Sequence, residues 1–223
     1  MQEHDVHQPN QEHVRKENQI TMANHCWNWS CFTGDRADLE KLIANVNKAK
    51  ELNPIGRLWY GNYSVALGLP PWQEGDPEYD VYLRYGSKWF DCEVEDNGDN
   101  VNLVGSSAWS PMCEFFRKLS GVYNLNVEAE YEEPSMGFGG FFSAEVGDVT
   151  RDEQLSYNQY RVSSDGTDSI LDGIDEGDYE SVDEAIEHFK DLQEVMDGRQ
   201  WEKFKSELQS VFEDTNTNDH DKI

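Results

Sequence analysis

Bases are what this chain has least of relative to what opposes them. Its 223 residues hold 18 Lys and Arg against 45 Asp and Glu, a formal charge of −27. A field of that sign repels nucleic acid and anionic membrane and attracts basic protein surfaces. It also keeps a protein in solution, which is the bland reading of the same charge. Long apolar runs are missing too: nothing approaches the ~20 residues that cross a bilayer, and the N-terminus has no apolar signal-peptide centre. Cysteine is sparse. Cys26, Cys31, Cys92 and Cys113 make no dense disulfide framework, so a reducing cytoplasm is expected. The closely spaced Cys pairs of structural zinc are absent, and buried thiols are the expectation. No histidine sits in a catalytic motif and no glycine loop opens a helix as phosphate binding requires. The acids from Asp168 to Asp178 resemble a calcium loop in composition only, because the mid-loop glycine and closing glutamate fall in the wrong places. No cofactor is expected.

Aromatic residues are plentiful, with seven Trp, enough for a substantial core. The stretch from Ser106 to Gly140 is the most informative. Ser110 is placed to cap a helix with Pro111 in its first position. Met112, Phe115, Phe116 and Leu119 recur at helical spacing, and Gly121 reads as the stop. Leu125, Val127, Ala129 and Tyr131 then alternate with Asn126, Glu128, Glu130 and Glu132, the pattern of a half-buried strand.

Around this stretch the chain reads as a disordered polar arm over 1–21, with Met22 a second candidate start, and a domain over 22–149. An acidic strand and loop segment follows over 150–180, then a helical hairpin over 181–213 and a polar tail over 214–223. Within the domain, a strand over Asn24 to Phe32 precedes a helix capped by Asp35, whose buried stripe is Leu39, Leu42, Ile43 and Val46. Residues 54–80 are irregular and aromatic. A strand from Trp89 to Glu95 turns at Asp96-Asn-Gly-Asp-Asn100 and pairs back through Val101 and Leu103. A further strand is expected over Phe138 to Val146.

The resulting order, strand, helix, two strands, helix, strand, is the βαββαβ of a ferredoxin-like α+β fold, an antiparallel sheet with both helices on one face. The hairpin's first strand and the last strand then form the edges. Trp27 and Phe90 join Leu103, Phe116, Leu119, Val127 and Ala129 in the expected core, and Trp89 and Trp109 close the sheet end beside Pro111. Glu93, Glu95, Glu128, Glu130 and Glu132 face away from the helices. From Asp152 to Asp197 only Arg161 and Lys190 are basic, a block that stays solvated. The C-terminal hairpin pairs a helix capped by Ser181 with a second one carrying Trp201, Phe204, Leu208 and Phe212.

Three motifs add a resemblance. Met22-Ala-Asn-His-Cys-Trp-Asn, Tyr85-Gly-Ser-Lys-Trp89 with Asp91-Cys92, and Ala108-Trp-Ser-Pro111 followed by Glu132-Glu-Pro-Ser-Met-Gly-Phe138 resemble, in order and spacing, the YubB-type ferredoxin-like domain family of phage and plasmid proteins. The resemblance covers Met22 to Val149 and implies a mobile-element protein in a host cell cytoplasm. It brings no catalytic residues.

Two functions follow. The first is a non-enzymatic interaction protein, an anti-defence inhibitor whose DNA-mimic-like acidic surface binds a basic host protein, itself nucleic-acid-binding or defence-related. Its contacts are Glu93, Glu95, Glu128, Glu130 and Glu132 with Asp172, Asp175, Glu176 and Asp178. Trp59, Tyr60, Trp72 and Trp201 are its anchors, because interface hot spots favour Trp and Tyr. No nucleic acid or membrane is contacted directly. The alternative is a metal-dependent enzyme using the Glu128, Glu130 and Glu132 ladder.

Overall fold

The computed structural model describes residues 25–73, 84–171, 174 and 178–218. The N-terminal arm and Met22, and Asp172, Asp175 and Glu176, lie outside these residues. Strand β1 (His25–Thr33) leads through Asp35 into α1 (Arg36–Glu51). The Asp35 carboxylate accepts from the Ala37 amide at 2.8 Å, while Lys48 and Lys50 sit in the last turn where the helix dipole favours a cation. A short strand β2 (Leu58–Trp59) and one helical turn α2 (Tyr63–Ala66) follow, with every residue from Asn62 to Leu67 buried. The aromatic stretch after α1 is therefore largely a cover over the core.

The hairpin pairs β3 (Trp89–Asp96) with β4 (Asn100–Ala108), with Gly98 at φ +86° in its turn. Helix α3 (Cys113–Tyr123) and strand β5 (Asn126–Glu133) complete the βαββαβ core, and β6 (Phe138–Glu145) and β7 (Asp148–Ser156) extend it. The sheet is antiparallel throughout, in the order β2-β3-β4-β1-β5-β6-β7. Strand β5 is thus interior, not the edge that the βαββαβ order alone would make it, because β6 and β7 pair beyond it. Strand β3 is covered by β2 only at Phe90 and Trp89, which leaves Asp91 to Asp96 without a partner strand on that side among the described residues.

Helices α1 and α3 cover one face. Leu39, Leu42, Val46, Phe115, Phe116 and Leu119 form one buried cluster with Phe32, Phe90, Leu103, Val127 and Ala129, and Ile43 packs on its margin. Phe116 meets Phe32 and Phe90 edge-on at 6.0 and 5.8 Å.

Both expected ends of α3 differ. Ser110 does not cap it; its hydroxyl donates to the Gly86 carbonyl instead. The helix begins at Cys113, and the side-chain oxygen of Asn28 accepts from the Met112 amide at 2.8 Å. Gly121 lies within the helix, where a Cβ would stand 3.4 Å from Gly147 in the β6–β7 turn; left-handed Asn124 (φ 54°) ends the helix.

After β7 come α4 (Tyr157–Asp165), with a Ser156–Gln159 capping box, and α5 (Asp168–Leu171). Helix α6 (Val182–His188) is capped by Ser181, and α7 (Gly198–Asn218) starts on Asp197, whose carboxylate accepts from Arg199 and Gln200. Met196 is not on α6, which gives way to a tighter turn at Lys190–Glu194. Helix α7 also runs past the expected start of the tail. Ile170, Ala185, Phe189, Leu192, Met196, Trp201, Phe204 and Leu208 make a second small core.

Candidate functional site: the open face of the sheet

The phase of β1 decides the site. Phe32 must be buried under α3, so Cys26, Asn28 and Ser30 share its side, and Trp27 and Trp29 emerge opposite. Trp27 is 54 % and Trp29 44 % exposed. The expectation that Trp27 is core is therefore wrong: a strand cannot bury Phe32 and Trp27 on the same face.

Pairing spreads that face across six strands. One row reads Glu93, Val104, Trp29, Glu130, Phe141 and Glu153. The rows beside it run Asp91, Ser106, Trp27, Glu132, Gly139 and Glu95, Asn102, Cys31, Glu128, Ser143. Glu93, Glu95, Glu128, Glu130 and Glu132 all stand on this face, away from α1 and α3. Two files of carboxylates, on β3 and β5, are about 14 Å apart at the usual strand spacing, with the tryptophans between them. Among the described residues, none of these five glutamates is ion-paired with a lysine or arginine.

Helix α4, which the sequence reading missed, forms a wall. Tyr160 packs on Phe141 at 5.4 Å, and a Cβ on Gly139 would run into its ring at 2.4 Å. The hydroxyls of Tyr160 and Ser164 donate to Glu130 at 3.4 and 3.3 Å. Burial, and then the Glu130 charge, push the Tyr160 phenol up to about 12. Trp27, Trp29, Val104, Glu130, Glu132 and Tyr160 enclose a groove of about 450 Å³.

The other expected anchors go elsewhere. Tyr60 and Trp72 are partly buried against the main core, and Trp59 packs on Tyr60 with tilted rings at 4.3 Å. Trp201 is 7 % exposed and stacks on Phe204 inside the second core, so it is unavailable as a surface anchor. Asp178 is exposed, but off the sheet, in the stretch before α6.

The three motifs meet at one end of the sheet. Asn28 donates to the Cys26 carbonyl and to the Ser107 hydroxyl, Ser87 donates to the Ala108 carbonyl at 2.9 Å, and Ser110 to Gly86. This knot projects Trp109 outward at φ +62° and 46 % exposure, so Trp109 does not close the sheet end. Trp89 is half-buried, with His25 edge-on at 5.2 Å and the Arg57 guanidinium 4.4 Å above its ring.

Glu128, Glu130 and Glu132 take alternate positions along one strand, their backbones about 7 Å apart from one to the next. Among the described residues no three His, Cys, Asp or Glu are grouped to hold a metal ion. Nor is any described helix long and apolar enough to cross a membrane.

Comparison with known proteins sets this geometry in a family. No curated protein matches the sequence. One solved structure that is similar is the protein api92 from Yersinia pseudotuberculosis, at 10 % identity, with 60 % of this chain and 98 % of that one covered and a TM-score of 0.34. The family model described as a ferredoxin-like domain in Api92-like protein matches residues 84–196, from just before β3 to the turn after α6. That match spans half of the sequence, and the chain belongs to the family of Api92-like proteins with this ferredoxin-like domain.

Proposed function

We propose that this protein is a non-enzymatic interaction protein that binds a basic host protein through the open face of its sheet. The observation that carries this reading is the pair of glutamate files flanking Trp27 and Trp29, free of lysine or arginine ion pairs among the described residues. Duplex DNA offers its binders a regular array of negative charge, which they meet with Lys and Arg. Carboxylates repeated every second residue on two strands offer a comparable array on a protein. Exposed acids contribute little singly, but a broad field steers encounter and discriminates partners by charge. Tryptophans at the centre add the hot-spot contacts that charge alone lacks. The motif resemblance to YubB-type phage and plasmid proteins supports a mobile-element setting, in which the bound factor belongs to a defence or nucleic-acid-processing machine and is inhibited by being occupied.

The test compares the full chain with Glu128→Gln/Glu130→Gln/Glu132→Gln, both checked by circular dichroism, as baits in host lysate at low and high salt. A basic, nucleic-acid-binding protein retained by the first, lost from the second and released by salt is the expected result. Retention that ignores both the substitutions and the salt would sink the proposal.

A further inference from the structure

We infer that the groove between Trp27, Trp29 and Tyr160 is an arginine pocket, which receives one guanidinium side chain of the basic partner; this rests on the interaction reading above. The face itself supplies the template. At one flank the Arg57 guanidinium lies 4.4 Å above the Trp89 ring and bonds Asp91 at 2.9 Å. At the other flank Arg151 lies 4.1 Å above Phe141 and bonds Glu153. Each is a guanidinium held between an aromatic face and a carboxylate.

The centre repeats the acceptor half of that arrangement. Trp27 is paired across the strands with Glu132, and Trp29 with Glu130. Among the described residues no lysine or arginine stands over either indole. Two hydroxyl donors, from Tyr160 and Ser164, already hold the Glu130 carboxylate in place. The groove of about 450 Å³ has room for a side chain of arginine's size. A planar guanidinium both stacks on an indole and bonds a carboxylate in its own plane, which a compact, strongly hydrated ammonium does less well.

The experiment titrates the full chain, at low and at physiological salt, with acetylated tetra-arginine, tetra-lysine and tetra-citrulline peptide amides. Affinity is read by calorimetry and the site by the indole N–H resonances. The expected result is an arginine peptide bound about fivefold more tightly than the lysine peptide, citrulline not bound, and the shifts confined to the Trp27 and Trp29 resonances. The preference disappears in Trp27→Ala/Trp29→Ala, while Trp109→Ala keeps it. Equal, salt-sensitive binding of arginine and lysine peptides, unchanged in the double variant, overturns the pocket and leaves the acidic-face reading standing. No binding of either peptide at low salt overturns both. Self-association that the double variant abolishes, without an arginine preference, overturns the pocket in favour of a second copy as occupant.

Discussion

Single residues here take on each other's expected tasks. Asn28 performs the capping expected of Ser110, because it lies on the helix side of β1 directly under the start of α3. Its amide also bridges Cys26 and Ser107, so both of its N–H donors and its oxygen are engaged in a buried site. Replacing Asn28 by Ala strands the Met112 amide and costs about 1–3 kcal/mol, measurable as a lower urea midpoint. The cysteines carry a second prediction. Burial is the largest cause that pushes Cys92 and Cys26 up from 9.0 to about 12. The unfolded thiols ionise first, so stability is full below pH 9 and falls as pH rises towards 12; denaturant midpoints across that window check it. Cys31 is only half-buried and faces Glu128 across the strands; burial first, and the Glu128 charge second, raise its pKa. Glu128→Gln should therefore speed its alkylation at mild alkaline pH, and an unchanged rate would show that the two side chains do not communicate. Such details were not legible in the sequence, because alternation names two faces without saying which is inside. Trp27 looked buried by residue type, whereas Phe32, five positions on, decides the phase.

At the scale of elements much more could be read. Both core helices, the hairpin at Gly98 and the acidic strand β5 follow from periodicity and turn residues, and their positions hold to within a few residues. Phe116 is 1 % exposed amid Phe32 and Phe90, and Phe116→Ala should cost about 3–5 kcal/mol. Helix α4 escaped notice because its burial is lent by a distant strand. Tyr157-Asn-Gln-Tyr-Arg-Val carries little apolar surface, and it docks only where Gly139 leaves space for Tyr160. Gly105 shows the same dependence on a neighbour. A Cβ there would stand 1.9 Å from the Asp91 carbonyl, so Gly105→Ala must push β3 from β4. Its expected signature is a large drop in melting temperature with β-sheet dichroism partly lost, whereas Gly98→Ala, with open space around it, costs only the strain of its turn.

For the whole molecule, the charge acts on folding and on binding in opposite directions. A net −27 repels itself in the compact state, so added salt should raise the melting temperature while loosening any basic partner. A salt series reading both quantities on one sample separates the self-repulsion from the recognition. The composition announced the charge, but the gathering of the β3 and β5 glutamates on one face depended on pairings between strands far apart in the chain. Those pairings have a consequence for how the molecule is made. The innermost strand, β1, is also the earliest in the chain among the described strands of this sheet. The hydrogen bond between the His25 ring and the Ser106 hydroxyl, at its pairing with β4, closes across 81 residues, which at about 5–20 residues per second is roughly 4–16 s of synthesis. Throughout that interval Trp27, Trp29 and Phe32 have no sheet to join. The nascent chain is therefore most open to chaperones, and to aggregation, before its hairpin emerges.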